Sequence, residues 1–142
     1  MNLIFAISSV ISFSLFNFFL KLSSGKVHAG VATFIVGVIS AALIGIYVAF
    51  LSANNGKIFA INKISFIYLV LAAIAVSLGN IFIYKTYSSG GNLSLIIPFV
   101  EIGIVVLVSL LGIIFLKEGI NAKYIIGLFI SLIGLYLVIT SK

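Results

Sequence analysis

The chain has 142 residues, of which 63% are hydrophobic and only 7% charged, and its mean hydropathy is +1.44. An ordinary soluble domain is about one quarter charged, so this composition excludes a soluble globular protein. Eight basic residues, all lysines, and two acidic residues give a net charge of +6. We expect these lysines to contact anionic lipid head groups and not nucleic acid.

Long uninterrupted apolar stretches predict membrane-spanning α-helices, each of which needs about 20 apolar residues. No lysine precedes the first stretch, so we expect a retained helix there and not a signal peptide. The connections are short and rich in Lys, Ser, Asn and Gly. The sequence therefore predicts an all-α integral membrane protein, with one transmembrane domain over residues 1–142 that forms a five-helix bundle. The five stretches run from about Leu3 to Leu20, Val31 to Leu51, Phe66 to Tyr84, Leu93 to Leu116 and Tyr124 to Ile139.

The third predicted helix carries polar side chains on one face, because their spacing repeats every three or four residues. An amide or hydroxyl group that faces lipid is poorly solvated, so we expect this face to contact protein or a cavity. It then serves either helix packing or substrate binding. The residues of this face are Ser77, Asn80, Tyr84 and Tyr87.

Asn17 in the first helix is a candidate of the same kind, with the same two interpretations. Lys21 and Lys85 lie near helix ends. They can extend their ammonium groups to the membrane surface, or they can belong to the binding site.

The fourth helix contains an acidic residue, Glu101, about 13 Å along the helix from Asn92. A charge at the bilayer centre costs about 2.5–3.5 kcal/mol on insertion scales. The carboxyl group is therefore either protonated, because desolvation disfavours the charged form, or placed in a wet cavity beside a cation. Both states make Glu101 a candidate for proton coupling or cation binding. The alternative is a structural carboxyl group bonded to a neighbouring helix, for example at Lys85.

Pro98 precedes Glu101 by about one turn and leaves the carbonyl of Ser94 without its helical donor. The helix either begins near Pro98, where proline fits best, or kinks there. Transporters commonly build binding sites near the membrane midplane from interrupted helices.

Lysine positions bear on orientation and assembly. Four lysines fall on each predicted face of the membrane, so the positive-inside rule gives no orientation. That balance is typical of a dual-topology protein, and we predict an antiparallel homodimer that packs along Gly127, Ser131 and Gly134 of the last helix. The alternatives are a parallel dimer or a heterodimer with a homologous chain of opposite charge bias. The two sets are Lys57, Lys63, Lys117 and Lys123 against Lys21, Lys26, Lys85 and Lys142.

Three motifs follow one another in the second half of the chain. They are Tyr84-Lys85-Thr86-Tyr87 before a Ser/Gly turn, then Leu95-Ile96-Ile97-Pro98, then Leu116-Lys117-Glu118 ahead of Ile126-Gly127 and Gly134-Leu135. This stretch, 83–139, resembles the C-terminal part of an EamA-like domain of the drug/metabolite transporter superfamily. The first two helices are similar only in hydropathy. The last helix also resembles that of small multidrug resistance transporters, whose acidic residue in the first helix this chain lacks.

The resemblance implies one five-helix half of an inverted-repeat transporter, in the cytoplasmic (inner) membrane, that exports or exchanges small metabolites or drugs, often driven by protons. The sequence contains no cysteine, one histidine and two acids, so we expect no enzymatic activity, no metal and no cofactor. Two functional hypotheses remain. The chain is a secondary transporter for a small polar or amphipathic metabolite, or it is a non-transporting membrane subunit that assembles with a partner.

Overall fold

The structure is a computed structural model that describes residues 3–55, 61–119 and 121–141. These residues form five α-helices and no strand, which confirms the predicted number and order of helices. Their lengths of 19 to 27 residues correspond to about 29–40 Å at 1.5 Å per residue. The helices are α1 (Leu3–Ser23), α2 (Ala29–Asn55), α3 (Lys63–Ser88), α4 (Leu93–Leu116) and α5 (Ala122–Thr140).

The helices are grouped into two compact units. The first, Met1–Gly90, contains α1, α2 and α3, and α3 packs against both of the other helices. The second, Gly91–Lys142, contains α4 and α5, which pack against each other.

Large apolar side chains lie mostly on the outer surfaces of these helices. Phe34, Ile4 and Phe115, for example, are 70–74% exposed. Water would solvate such surfaces poorly, whereas lipid solvates them well. All five described helices are long and apolar enough to cross a membrane, and they fit a multi-pass integral membrane protein.

Polar side chains mark where several helices begin. The side-chain oxygen of Asn62 accepts the backbone N–H of Ser65 at 2.7 Å, and that of Asn121 accepts the N–H of Tyr124 at 2.8 Å. Both are N-caps that satisfy a donor left free in the first turn. His28 precedes α2, and its Nδ1 accepts the N–H of Gly30 at 3.2 Å. These caps extend the helices beyond the apolar stretches that predicted them.

Candidate functional site

A polar cluster joins the C-terminal ends of α1 and α3. Tyr84 is completely buried and Tyr87 is 1% exposed. The hydroxyl of Tyr84 donates to the carbonyl of Ser23 at 2.7 Å, and that of Tyr87 donates to Oδ1 of Asn17 at 3.0 Å. The amide of Asn17 donates in turn to the carbonyl of Phe13 at 3.0 Å. We call Asn17, Lys21, Ser23, Tyr84 and Tyr87 the α1–α3 cluster.

Lys21 lies at the end of α3 as well as at the end of its own helix. Its ammonium group donates to the carbonyl of Tyr87 at 3.1 Å and lies 5.7 Å from the centre of the Tyr87 ring. A cation is favourable there, because the last carbonyls of a helix carry partial negative charge, and an aromatic face attracts it further. Lys21 therefore links the C-terminal ends of α1 and α3 within this cluster.

Each side chain of the α1–α3 cluster takes part in at least one hydrogen bond. No buried side-chain nitrogen or oxygen lacks a partner in the part of the chain that the structure describes. The N–H of Gly25 adds another link to α3 by donating to the Ser88 hydroxyl at 3.3 Å. A cluster of this kind can hold two parallel helices in register, since each alternative position would leave buried polar groups unpaired.

The predicted polar face of α3 divides between two environments. Its C-terminal part, Tyr84 and Tyr87, points at α1, and Asn80 is half-buried. Ser77 is instead exposed, and its hydroxyl donates to the carbonyl of Ala73 at 2.8 Å within its own helix. Ser77 lines an open groove against α2.

That groove has a volume of about 410 Å³. On α2 it extends from Gly30 to Ala41, and on α3 it is lined by Ser77 and Ile81. The side of α2 that the groove follows is open at Gly37, where an added Cβ would meet nothing within 4 Å.

Glu101 is the ninth residue of α4, and its side chain is exposed. Among the described residues its carboxylate has neither a hydrogen-bond nor an ion-pair partner. Pro98 lies inside α4 as its sixth residue, and the helix is continuous from Leu93 to Leu116. The helix therefore does not begin at Pro98, which was one of the two sequence-based possibilities. Pro98 lies about one turn before Glu101 and removes the helical donor of the Ser94 carbonyl, which is a further turn back along the helix.

The other acidic residue, Glu118, lies just beyond α4, and its side chain folds back onto that helix. Its carboxylate covers Gly112, since a Cβ added to Gly112 would lie 2.7 Å from Oε2 of Glu118. The backbone N–H of Glu118 donates to the Gly112 carbonyl at 3.2 Å. The two acids therefore differ in surroundings. Glu101 lies within a helix and has no partner in the described part of the chain, whereas Glu118 is held at a helix end.

Two further predicted positions lie on exposed surfaces. Lys85 is exposed in the last turn of α3. On α5, Gly127 and Gly134 are exposed, and a Cβ added to either would meet nothing within 4 Å. Ser131 between them is exposed too, and its hydroxyl donates to the Gly127 carbonyl at 3.0 Å. This face of α5 is open to close approach by another helix.

Two interactions were not predicted from the sequence. The sequence does not indicate that the carbonyl of Ser23 accepts a hydrogen bond from Tyr84, because every residue type has a backbone carbonyl. The hydroxyls of Ser109 and Tyr124, which hydrogen-bond between α4 and α5, were visible only as polar residues in apolar helices.

Within the described residues no group of three or more His, Cys, Asp or Glu side chains could hold a metal ion. No protein family, curated protein or solved structure matches the chain.

Proposed function

We propose that the chain is a secondary transporter of small metabolites or drugs in the cytoplasmic membrane, coupled to protons through Glu101. The observation that carries this proposal is the exposed carboxylate within an apolar helix, which has no partner among the residues that the structure describes. Glu101 lies about 12 Å from the beginning of α4 and about 22 Å from its end. Once α4 spans a hydrocarbon core of about 30 Å, the carboxyl group lies well inside it.

An acid at that depth is too costly to face lipid as a charge. It is stable if it binds a proton, or if a second copy of the chain or a bound substrate cation covers it. A group that alternates between these states exchanges a proton for a substrate, which is the elementary step of proton-coupled transport. The Ser94 carbonyl, which lacks its helical donor because of Pro98, offers a further acceptor about two turns before Glu101.

The proposal includes an antiparallel homodimer, with the substrate site between subunits. The balance of lysines supports dual topology, and the open face of α5 at Gly127, Ser131 and Gly134 supports close packing of two α5 helices. The resemblance to one half of an inverted-repeat transporter supports the same arrangement, because two opposed copies would reproduce both halves.

The test is transport by purified protein in liposomes that enclose a pH-sensitive dye. With a pH gradient imposed, amino acids, polyamines and lipophilic cations are added outside in turn, and proton movement is followed for each. We expect at least one compound to drive proton flux through the wild type. We expect Glu101→Gln to remove that flux while the protein still folds, since the amide cannot exchange a proton.

Glu118→Gln is the matched control. It neutralises an acid of the same chain, and Glu118 lies outside the membrane-spanning helices. The control should retain most of the flux. Equal flux in the Glu101→Gln variant and the wild type would reject the assignment of Glu101. Absence of flux with every compound in the wild type would favour the non-transporting subunit.

A further inference from the structure

The groove between α2 and α3 is long, mostly apolar and open on its outer side. From Gly30 to Ala41 it follows twelve residues of α2, a rise of about 16 Å at 1.5 Å per residue. Its volume is about 410 Å³.

The lining discriminates between possible occupants. Apolar residues such as Phe34, Val38 and Ile81 make up most of it, and such a surface suits a hydrocarbon chain. The polar groups in the lining are the hydroxyls of Thr33 and Ser77, and each is bonded to a carbonyl of its own helix. A saturated or unsaturated acyl chain, lying lengthwise in the groove, therefore matches its length and its chemistry.

One end of the groove is basic. Ser77, Ile81 and Lys85 follow one another at four-residue steps and share a face of α3, so Lys85 lies one turn beyond the lining residue Ile81. At the same end, the ring of His28 lies 3.5 Å from the position of a Cβ on Gly30. Lys26 is exposed in the same connection. The first 90 residues contain no Asp or Glu that would neutralise these groups.

We propose that this groove binds one acyl chain of an anionic phospholipid of the surrounding bilayer, with the lipid head group at Lys85 and Lys26. Lipid tails elsewhere in the bilayer are equally apolar, so the preference for this position comes from the attraction between phosphate and lysine. The groove then fixes the chain against α2 and α3. The inference requires the membrane insertion assumed above but not transport, so it stands if the transport assay fails.

The experiment measures lipid retained by the full-length protein in a mild non-ionic detergent. Phosphatidylglycerol and phosphatidylcholine with identical acyl chains are added in equal amounts, and bound lipid is counted by native mass spectrometry. We expect the wild type to retain one phosphatidylglycerol in preference to phosphatidylcholine. Gly37→Leu should abolish this retention, because the new side chain projects into the groove and an added Cβ meets no neighbour there.

Gly45→Leu is the control for bulk. Gly45 lies two turns further along α2, also has open space around an added Cβ, and does not line the groove. The Gly45→Leu variant should retain lipid as the wild type does.

The contribution of the head group is tested with Lys85→Gln. This variant should lower the preference for phosphatidylglycerol about fivefold, the effect of one lysine near the surface. Lys63→Gln, at the other end of α3, should leave the preference unchanged.

A second measurement needs no variant. A phosphatidylglycerol with a photoactivatable group in its acyl chain should cross-link to residues 30–41 of α2. Cross-links spread evenly over the helices would overturn the proposal, as would equal retention of the two lipids by the wild type. Equal loss in the Gly37 and Gly45 variants would overturn it too. Displacement of phosphatidylglycerol by an equal concentration of oleate would show that the occupant is a free fatty acid and not a phospholipid.

Discussion

At the scale of single residues, Tyr87 shows how a buried polar group restricts the way two helices pack. Its hydroxyl donates to Oδ1 of Asn17, and the Asn17 side chain is 8% exposed. Neither the Tyr87 hydroxyl nor the Asn17 amide can reach water unless α1 and α3 separate. The Tyr87 carbonyl, meanwhile, accepts from both Lys21 and the N–H of Gly90. Side chain and backbone of one residue therefore both hold the end of α3.

Tyr87→Phe removes the hydroxyl and leaves Oδ1 of Asn17 buried without that donor. Hydrogen bonds between membrane helices contribute about 0.6 kcal/mol on average and up to about 1.7 kcal/mol. We expect the free energy of unfolding in detergent to fall by about 0.5–1.5 kcal/mol, measured by denaturant titration followed by circular dichroism.

Tyr68→Phe is the control for this substitution. Tyr68 lies on the same helix, is 67% exposed, and its hydroxyl has no partner among the described residues. The control should unfold like the wild type. A Tyr87→Phe variant as stable as the control would show that the hydrogen bond to Asn17 contributes nothing measurable.

The sequence predicts which residues of this cluster avoid lipid but not what they contact. The spacing of Tyr84 and Tyr87 places them on one face, and their polarity directs that face toward protein. Whether Asn17 is the partner of Tyr87 depends on how α1 and α3 are aligned. The spacing of residues along one helix does not determine that alignment. The surroundings of Glu101 are equally invisible in the sequence, because its exposure depends on packing around α4.

At the scale of secondary-structure elements, the end of α4 is unusual. Lys117 follows the helix with φ +54°, in the left-handed region, and its N–H donates to the Gly112 carbonyl. That conformation costs an L-residue about 1–2 kcal/mol, and glycine is the common residue there. Gly119, only two residues later, is not at the left-handed position. The helix therefore ends with a strained lysine.

This strain predicts that Lys117→Gly is more stable than Lys117→Ala by about 1 kcal/mol. Both variants remove the same charge near the helix end, so the comparison isolates the backbone conformation. The measurement is the denaturant midpoint of each purified variant in the same detergent. Equal midpoints would mean that the left-handed conformation at this position is not strained in the folded protein.

Four of the five described helices extend beyond the bounds predicted from the sequence, whereas α4 has the predicted bounds, Leu93–Leu116. Helix α3 was predicted from Phe66 to Tyr84 and extends from Lys63 to Ser88, and α2 was predicted from Val31 and begins at Ala29. Hydropathy marks only the apolar interior of a spanning helix. The backbone continues to helix ends that are set by polar groups, such as Asn62 at the start of α3.

At the scale of the whole molecule, the apolar surface raises the question of what covers it besides lipid. Most faces carry large side chains such as Phe34 and Phe129, which keep another helix at a distance. On α5 the residues Gly127, Ser131 and Gly134 are small, and an added Cβ at either glycine meets nothing within 4 Å. Lipid tails are as apolar as the helices, so helices associate in membranes through close packing, hydrogen bonds between helices and the entropy of the lipid, and small residues permit the close packing.

The direction of packing along this face can be decided with cysteine pairs, because the chain contains no cysteine of its own. In an antiparallel pair of α5 helices that cross near Ser131, Gly127 of one copy lies opposite Gly134 of the other. Two copies of Gly127 are then about 10 Å apart, seven residues at 1.5 Å. A disulfide bond requires Cα atoms within about 7 Å.

We therefore expect Gly127→Cys and Gly134→Cys chains to form a mixed disulfide when they are expressed together in membranes and oxidised. Neither variant should cross-link to itself, whereas Ser131→Cys should, because Ser131 lies beside the symmetry axis. The measurement is the dimer band in a non-reducing gel, with differently tagged chains to identify the mixed product. A parallel dimer gives the opposite result, with self-cross-linking of Gly127→Cys and of Gly134→Cys and no mixed product. Absence of all three disulfides would exclude this face of α5 as a homodimer interface and favour a heterologous partner.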